Sequence, residues 1–170
     1  KKVITDHSTI GIVMTTDGSI TTEIPRASYV EAEERVVNEL KALKKPFVIV
    51  LNSTVPNSAE TKKLAKALED KYSTPVMPLD AANITEENVT AIFEKMLFEF
   101  PLAGIEIKIN KWMQALPIDN SLISELSEIF LTQSENMLKM SDYKVLPAAF
   151  VENEKYESLE VESVDLGTGK

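Results

Sequence analysis

Polar residues follow three apolar runs of the chain, at the points where a buried β-strand would end. These polar segments are Thr15-Thr16-Asp17-Gly18, Asn52-Ser53-Thr54 and Asp80-Ala81-Ala82. In open parallel sheets, ligands bind in the crevice outside the carboxyl ends of the strands. We therefore predict that the three segments share one ligand-binding rim. The alternative for each segment alone is a plain turn that joins a strand to a helix.

Other kinds of site chemistry are poorly represented. The chain has no cysteine, which excludes disulfides and thiolate metal sites. Its single histidine is His7, and we exclude a Ser-His-Asp triad. We expect a structural role for His7. A phosphate-binding Walker A loop requires Gly-x-x-x-x-Gly-Lys-Ser/Thr, and the only Gly-Lys pair is Gly169-Lys170. Val164 stands where the first glycine would be, so this pair is not such a loop.

Two carboxylate pairs and one tryptophan have simple structural explanations. Glu33-Glu34 and Glu86-Glu87 are expected on solvated helix faces or in first turns, where they complement the helix dipole. Trp112 is expected to be an anchor in the core or between domains.

The elements that position the rim follow from hydrophobic patterning. Apolar, β-branched runs predict parallel strands at about 9–15, 47–51 and 75–79, the first two adjacent, and prolines in the third favour the sheet edge. Helices are predicted between and after the strands. Their predicted caps are Ser28 in a capping box, Asn57 or Ser58, and Thr85; the first helix should bury Ala32, Val36, Leu40 and Leu43. Alternation of strands and helices predicts an α/β fold with helices on the faces of a parallel sheet.

The pattern changes after Phe100. Alternating isoleucines predict a half-exposed strand at 105–109, and a long helix is predicted over Ser121–Met140. We divide the chain into an α/β part at 1–110, a helical extension at 111–143, and the start of a following domain or linker at 144–170. Because three strands make a narrow sheet, we expect further strands upstream of Lys1.

Composition excludes several classes of partner. The net charge of −9 argues against a nucleic-acid-binding face, which needs a basic stripe. No apolar run approaches the roughly 20 residues that a membrane-spanning helix requires. A cytoplasmic location is therefore expected.

The three segments, in this order, resemble P-loop GTPases of the translation-factor type. Those proteins place Ala-Thr-Asp-Gly, Asn-Lys-x-Asp and a Ser-Ala-Lys type loop after successive strands. Here Ser53 replaces the lysine and Val55 replaces the final aspartate, which accepts hydrogen bonds from guanine. Valine cannot accept a hydrogen bond, so the resemblance implies an ATP-binding relative with Asn52, Ser53, Asp80, Ala81 and Ala82 at the nucleotide.

A closer resemblance extends over nearly the whole chain. The stretches that carry it are His7-Ser8-Thr9-Ile10-Gly11, Thr15-Thr16-Asp17-Gly18, Tyr29-Val30-Glu31-Ala32-Glu33-Glu34-Arg35-Val36, Lys45-Pro46-Phe47, Asn52-Ser53, Glu99-Phe100-Pro101 and Trp112. They are similar to the stage IV sporulation protein A family, the morphogenetic ATPases of endospore-forming bacteria.

That resemblance implies a function. The family binds and hydrolyses ATP with Mg²⁺, polymerises with itself, and forms the base layer of the spore coat on the mother-cell side of the forespore. A small amphipathic membrane-bound peptide and other coat proteins are its implied partners. The Walker A lysine, sensor threonine and Walker B aspartate would lie upstream, so the chain would be the second half of the P-loop domain, with no activity and no bound nucleotide of its own.

Two other interpretations remain open from the residues. The chain is alternatively a non-catalytic interaction module built on a Rossmann-like half-domain. A receiver-like domain is disfavoured, because receivers carry acidic residues on their first strand and Ser8 to Thr15 has none.

Overall fold

A computed structural model describes residues 7–151 and 159–170. The chain divides after Glu99 into two compact units. The first unit is an α/β unit, and the second consists of helices and extended segments. The predicted boundaries at 110 and 143 stay predictions, and residues 152–158 of the predicted tail lie outside the described part.

The first unit contains a parallel sheet of three strands in the order β1-β2-β3. The strands are β1 (Gly11–Thr16), β2 (Phe47–Asn52) and β3 (Val76–Leu79). The predicted α/β fold, the parallel pairing and the adjacency of the first two strands are confirmed. The proline-containing β3 is an edge strand of this sheet, as expected for a residue that cannot donate to the ladder.

Helices cover both faces of the sheet. They are α1 (Ala27–Ala42), α2 (Ala59–Tyr72) and α3 (Glu86–Phe98). Residues of β2 alternate between two cores because successive side chains of a strand point to opposite faces. One core contains Ile49 and Leu51 with α1 and α2, and the other contains Val48 and Val50 with α3.

Two of the predicted helix caps are confirmed. The side chain of Ser58 accepts a hydrogen bond from the amide of Thr61 at the start of α2. Thr85 and Asn88 form a reciprocal capping box at the start of α3. Each cap satisfies backbone donors that the first helical turn leaves without a partner.

The predicted start of α1 is wrong, and of the four residues predicted to be buried, Leu40 alone is buried. The helix begins at Ala27 after Arg26, without a side-chain cap, so Ser28 lies inside the first turn. The buried residues are Glu33, Val37 and Leu40, whereas Val36 is exposed. The buried face of the helix is shifted by about one residue from the predicted face. The reason is that Glu33 has buried polar partners, which hydrophobic periodicity cannot predict.

The second unit has its own small core. It contains α4 (Lys111–Gln114), α5 (Ser121–Ser134), a 3-10 segment (Met140–Val145) and α6 (Ala148–Val151). The predicted long helix therefore ends at Ser134. The core of the second unit is formed by Phe130, Met137, Leu146 and Phe150.

For this unit the predicted strand is wrong, and so is a core position for Trp112, whose alternative role as an anchor between domains stays a prediction. Residues 105–109 form no strand, since no described segment pairs with them, and an extended segment without a ladder partner is not a β-strand. Trp112 is 60% exposed, so it is not a core residue. None of the helices in the described part is long and apolar enough to cross a membrane.

Candidate functional site

The three predicted segments lie at the same edge of the sheet. Asn52 is in register with Thr16 on one side and with Leu79 on the other, so all three strands end at the same level. We name three rim loops at these strand ends. They are the first rim loop (16–19), the second rim loop (52–55) and the third rim loop (80–82). Their common position is the feature that a ligand-binding edge of a parallel sheet requires.

Side-chain hydrogen bonds join the first rim loop to the second. One carboxylate oxygen of Asp17 accepts from the amide and hydroxyl of Ser19, at 2.9 and 2.6 Å. The other oxygen accepts from the hydroxyl of Thr61, at 3.1 Å. The hydroxyl oxygen of Ser19 in turn accepts from the amide of Thr54, at 2.9 Å. These bonds hold the two loops and the start of α2 in one arrangement.

Ser53 holds the second rim loop from inside. The residue is completely buried. Its Oγ lies 3.3 Å from Oγ1 of Thr61 and accepts from the amide of Val55 at 3.0 Å. The Ser53 side chain therefore shapes the loop, and its predicted contact with a ligand stays a prediction.

Asn52 joins the second rim loop to the third. Its Oδ1 accepts a hydrogen bond from the amide of Ala81 at 2.9 Å. Among the described residues, its Nδ2 has no hydrogen-bond partner. The side chain thus ties the loops together with its acceptor, while its donor is left for another group.

Asp80 stabilises the third rim loop, in which Ala81 and Ala82 form a 3-10 turn with Asn83. Its carboxylate accepts from the side chain of Asn83 at 2.7 Å and from the amide of Ala82 at 3.0 Å. The hydrogen bond from the Asn83 side chain, followed by that from the Ala82 backbone, lowers the pKa of Asp80. The loop therefore carries a negative charge at neutral pH.

The tie between the first two loops is expected to depend on pH through Asp17. Burial raises the pKa of Asp17, but hydrogen bonds from Ser19, Ser53 and Thr61 outweigh this, so the net pKa lies below the ordinary 3.8. A carboxylate with a lowered folded-state pKa stabilises the fold above its unfolded pKa. That stability is lost as the pH falls through the folded-state pKa.

We expect Asp17→Asn to lower the free energy of unfolding by about 1–2 kcal/mol at neutral pH. The difference from wild type should be smaller at an acidic pH well below 3.8, because the stability that the lowered pKa represents is lost as the pH falls through the folded-state pKa. Urea unfolding at both pH values measures it, with Asp70→Asn on the exposed face of α2 as the control. A difference that is equal at the two pH values would contradict the assignment.

A buried polar cluster next to the rim was not predicted. Glu33, expected to be solvated, is only 5% exposed and bonds to Thr15, Arg26 and Tyr72. One signal was available in the sequence, since Glu33, Val37 and Leu40 follow the spacing of a helix face. The charge of Glu33 nevertheless predicted exposure, because an ionised side chain is rarely buried without partners.

Metal binding has no support in the described part of the chain. No group of three or more histidine, cysteine, aspartate or glutamate side chains there is arranged to hold a metal ion.

The comparison with protein families decides the identity. The family model described as "Stage IV sporulation protein A, ATPase domain" matches residues 1–101. The chain belongs to this family. The whole sheet and all three rim loops lie within the matched region.

Curated relatives of this family match the chain over almost its full length. Stage IV sporulation protein A of Clostridioides difficile (strain 630) is 44% identical over 173 residues, covering 99% of the chain. The proteins of that name from Bacillus subtilis (strain 168) and Bacillus anthracis are 35% and 34% identical, also over 99% of the chain. The chain spans 34% of the length of each relative. No solved structure matches the chain.

Proposed function

We propose that the chain forms the base-binding side of an ATP-hydrolysing domain. The observation that carries the proposal is the rim itself: three strand ends are level, and side chains join their loops into one edge. An edge of this kind is where open α/β sheets bind ligands. Membership of a family described by its ATPase domain supports the choice of nucleotide.

The residues of the rim fit a nucleotide base better than a phosphate. Asn52 offers an Nδ2 donor without a partner in the described part of the chain, and the backbone of 80–82 lies beside it. Asp80 adds negative charge, which opposes phosphate binding. Ser53 and Val55 carry no carboxylate that could accept from guanine, so adenine is the proposed base. In this proposal ATP and Mg²⁺ are held mainly by residues of the whole protein outside this chain.

The remaining functions belong to the whole protein. We infer that it polymerises with itself into the base layer of the bacterial spore coat, on the mother-cell side of the forespore. A small amphipathic membrane-bound peptide and other coat proteins are its proposed partners. The names of the matching relatives support the sporulation role from which these proposals start.

One observation favours the alternative of an interaction module. On β1, Ile12 is 52% and Met14 is 61% exposed, which is unusual for neighbouring apolar side chains on one face of a strand. A partner segment that covers this face would bury them. In this alternative the chain binds a protein partner through this face and makes no contact with a nucleotide.

ATP hydrolysis by the whole protein, compared with the 170-residue chain, tests the proposal. We expect the whole protein to release phosphate from ATP when Mg²⁺ is present. The chain alone should show no turnover, because its sequence contains no Walker A motif and therefore no P-loop lysine.

Assays of ATP hydrolysis and of polymer formation distinguish the proposed ATPase function from the interaction module. Phosphate release is followed colorimetrically, and sedimentation of the same samples reports polymer. A whole protein that neither binds nor hydrolyses ATP would refute the proposed function and leave the interaction module. Mg²⁺-dependent turnover by the chain alone would show that its predicted inactivity is wrong.

A further inference from the structure

The carboxylate of Glu33 is buried in the first unit and has three side-chain partners. Its Oε2 accepts from the hydroxyl of Thr15 at 2.5 Å and from Nη2 of Arg26 at 2.7 Å. Its Oε1 accepts from the hydroxyl of Tyr72 at 2.9 Å. These partners come from the end of β1, the start of α1 and the last residue of α2, so the cluster connects three elements.

Stability alone does not account for a charged residue at this position. Val37 and Leu40 occupy the same face of α1, and a well-packed apolar residue often stabilises such a site more than an ion pair does. Removing charges from water costs free energy that the pair must recover through its geometry. The hydrogen bonds of the carboxylate instead fix one particular arrangement of Thr15, Arg26 and Tyr72.

Arg26 depends on Glu33 for its position. Its side chain is 19% exposed, and its Nε and Nη1 atoms are buried without a hydrogen-bond partner in the described part of the chain. Within residues 7–151 and 159–170, the bond to Glu33 is therefore the polar contact that orients the guanidinium group. Loss of the carboxylate would leave a largely buried cation with nothing to hold it.

Glu33 bonds to residues on both sides of the segment 17–25, since Thr15 lies two residues before the segment and Arg26 follows it. Gly18 adopts φ +91° and packs so closely that a Cβ there would lie 3.3 Å from the backbone nitrogen of Arg26. The first rim loop therefore lies against the backbone of Arg26, so a displacement of the start of α1 would reach that loop. That loop is bonded to the second through Asp17 and Ser19.

We propose that Glu33 and Arg26 are a positioning pair that sets the geometry of the nucleotide-binding rim. The pair does not touch the ligand. It places the first rim loop, and the hydrogen bonds of that loop place the second, which contains Asn52 and Val55. This inference rests on the proposed function for its effect on nucleotide binding.

Glu33→Gln in the whole protein tests the pair, because glutamine keeps the shape and removes the charge. We expect the affinity for a fluorescent ATP analogue to fall about fivefold or more, with a thermal midpoint still above the assay temperature. Glu34→Gln is the matched control, since Glu34 is adjacent, its side chain is 44% exposed, and it pairs with Lys71 on the surface. It should change the affinity by less than about twofold. Equal affinities for the Glu33→Gln variant and wild type would overturn the proposal.

The double variant Glu33→Gln, Arg26→Gln distinguishes positioning from a general loss of stability. Removing both charges together should recover part of the affinity that Glu33→Gln loses, because no unpaired charge remains. Additive losses of affinity from the two substitutions would overturn the pair. If Glu33→Gln does not fold, Tyr72→Phe is used, because it removes one hydrogen bond to the same carboxylate. We expect it to lower the affinity for the ATP analogue by a smaller factor.

Deuterium exchange without nucleotide tests the loop independently of the proposed function. Residues 17–25 should exchange faster in Glu33→Gln than in wild type or Glu34→Gln. Unchanged exchange there would show that the pair does not hold the loop. A wild-type protein that binds no ATP analogue would refute the proposed function, while the exchange result would still decide whether Glu33 positions the rim.

Discussion

Ile49→Ala is expected to lower the free energy of unfolding of the 170-residue chain by about 2–5 kcal/mol. Ile49 is completely buried in the central strand, where it packs between helices and both neighbouring strands. Truncation removes buried apolar surface and leaves a cavity that a strand held by parallel ladders on both sides cannot close. Urea-induced unfolding followed by circular dichroism measures the loss.

Ile12→Ala is the matched control, with the same chemical change on the adjacent strand. Ile12 is 52% exposed, so we expect a loss below about 1 kcal/mol. Equal losses for the two variants would mean that β2 is not the centre of the folded unit. The same control repeated in the whole protein would report whether another segment covers Ile12, because its loss would then approach that of Ile49.

Val55→Asp is expected to raise the affinity of the whole protein for GTP relative to ATP by about 1–3 kcal/mol. The Val55 side chain is 54% exposed, and its amide bonds to the buried Ser53 hydroxyl. The loop is therefore held through its backbone, so the side chain can be exchanged without reshaping the rim. A carboxylate at this position would accept from guanine, which has donors that adenine lacks.

Val55→Asn separates the effect of the carboxylate from that of a polar side chain of the same shape. We expect it to shift the GTP to ATP affinity ratio much less than Val55→Asp, because a hydrogen bond to a charged acceptor is the stronger one. Titrations with both nucleotides measure the ratio. If Val55→Asp leaves the ratio unchanged, the second rim loop does not read the base, and the role of Asn52 is to tie the loops together.

The sequence by itself was sufficient for the order, direction and approximate bounds of the strands. Unbroken apolar runs that are rich in β-branched residues, such as 47–51, favour a strand that is buried on both faces. The predicted caps at Ser58 and Thr85 are confirmed, since a cap involves atoms only two or three residues apart, whereas the cap predicted at Ser28 is wrong because α1 begins earlier, at Ala27. The rim followed from these elements, since level strand ends bring their loops together.

Tertiary structure decided what depends on distant partners. Residues 105–109 alternate like a strand, yet a strand exists only when another segment supplies the ladder. Periodicity also predicted a buried stripe on α1 that was one residue out of phase. The phase was decided by Thr15 and Tyr72, which lie 18 and 39 residues from Glu33 along the chain and supply the hydrogen bonds that make its burial possible.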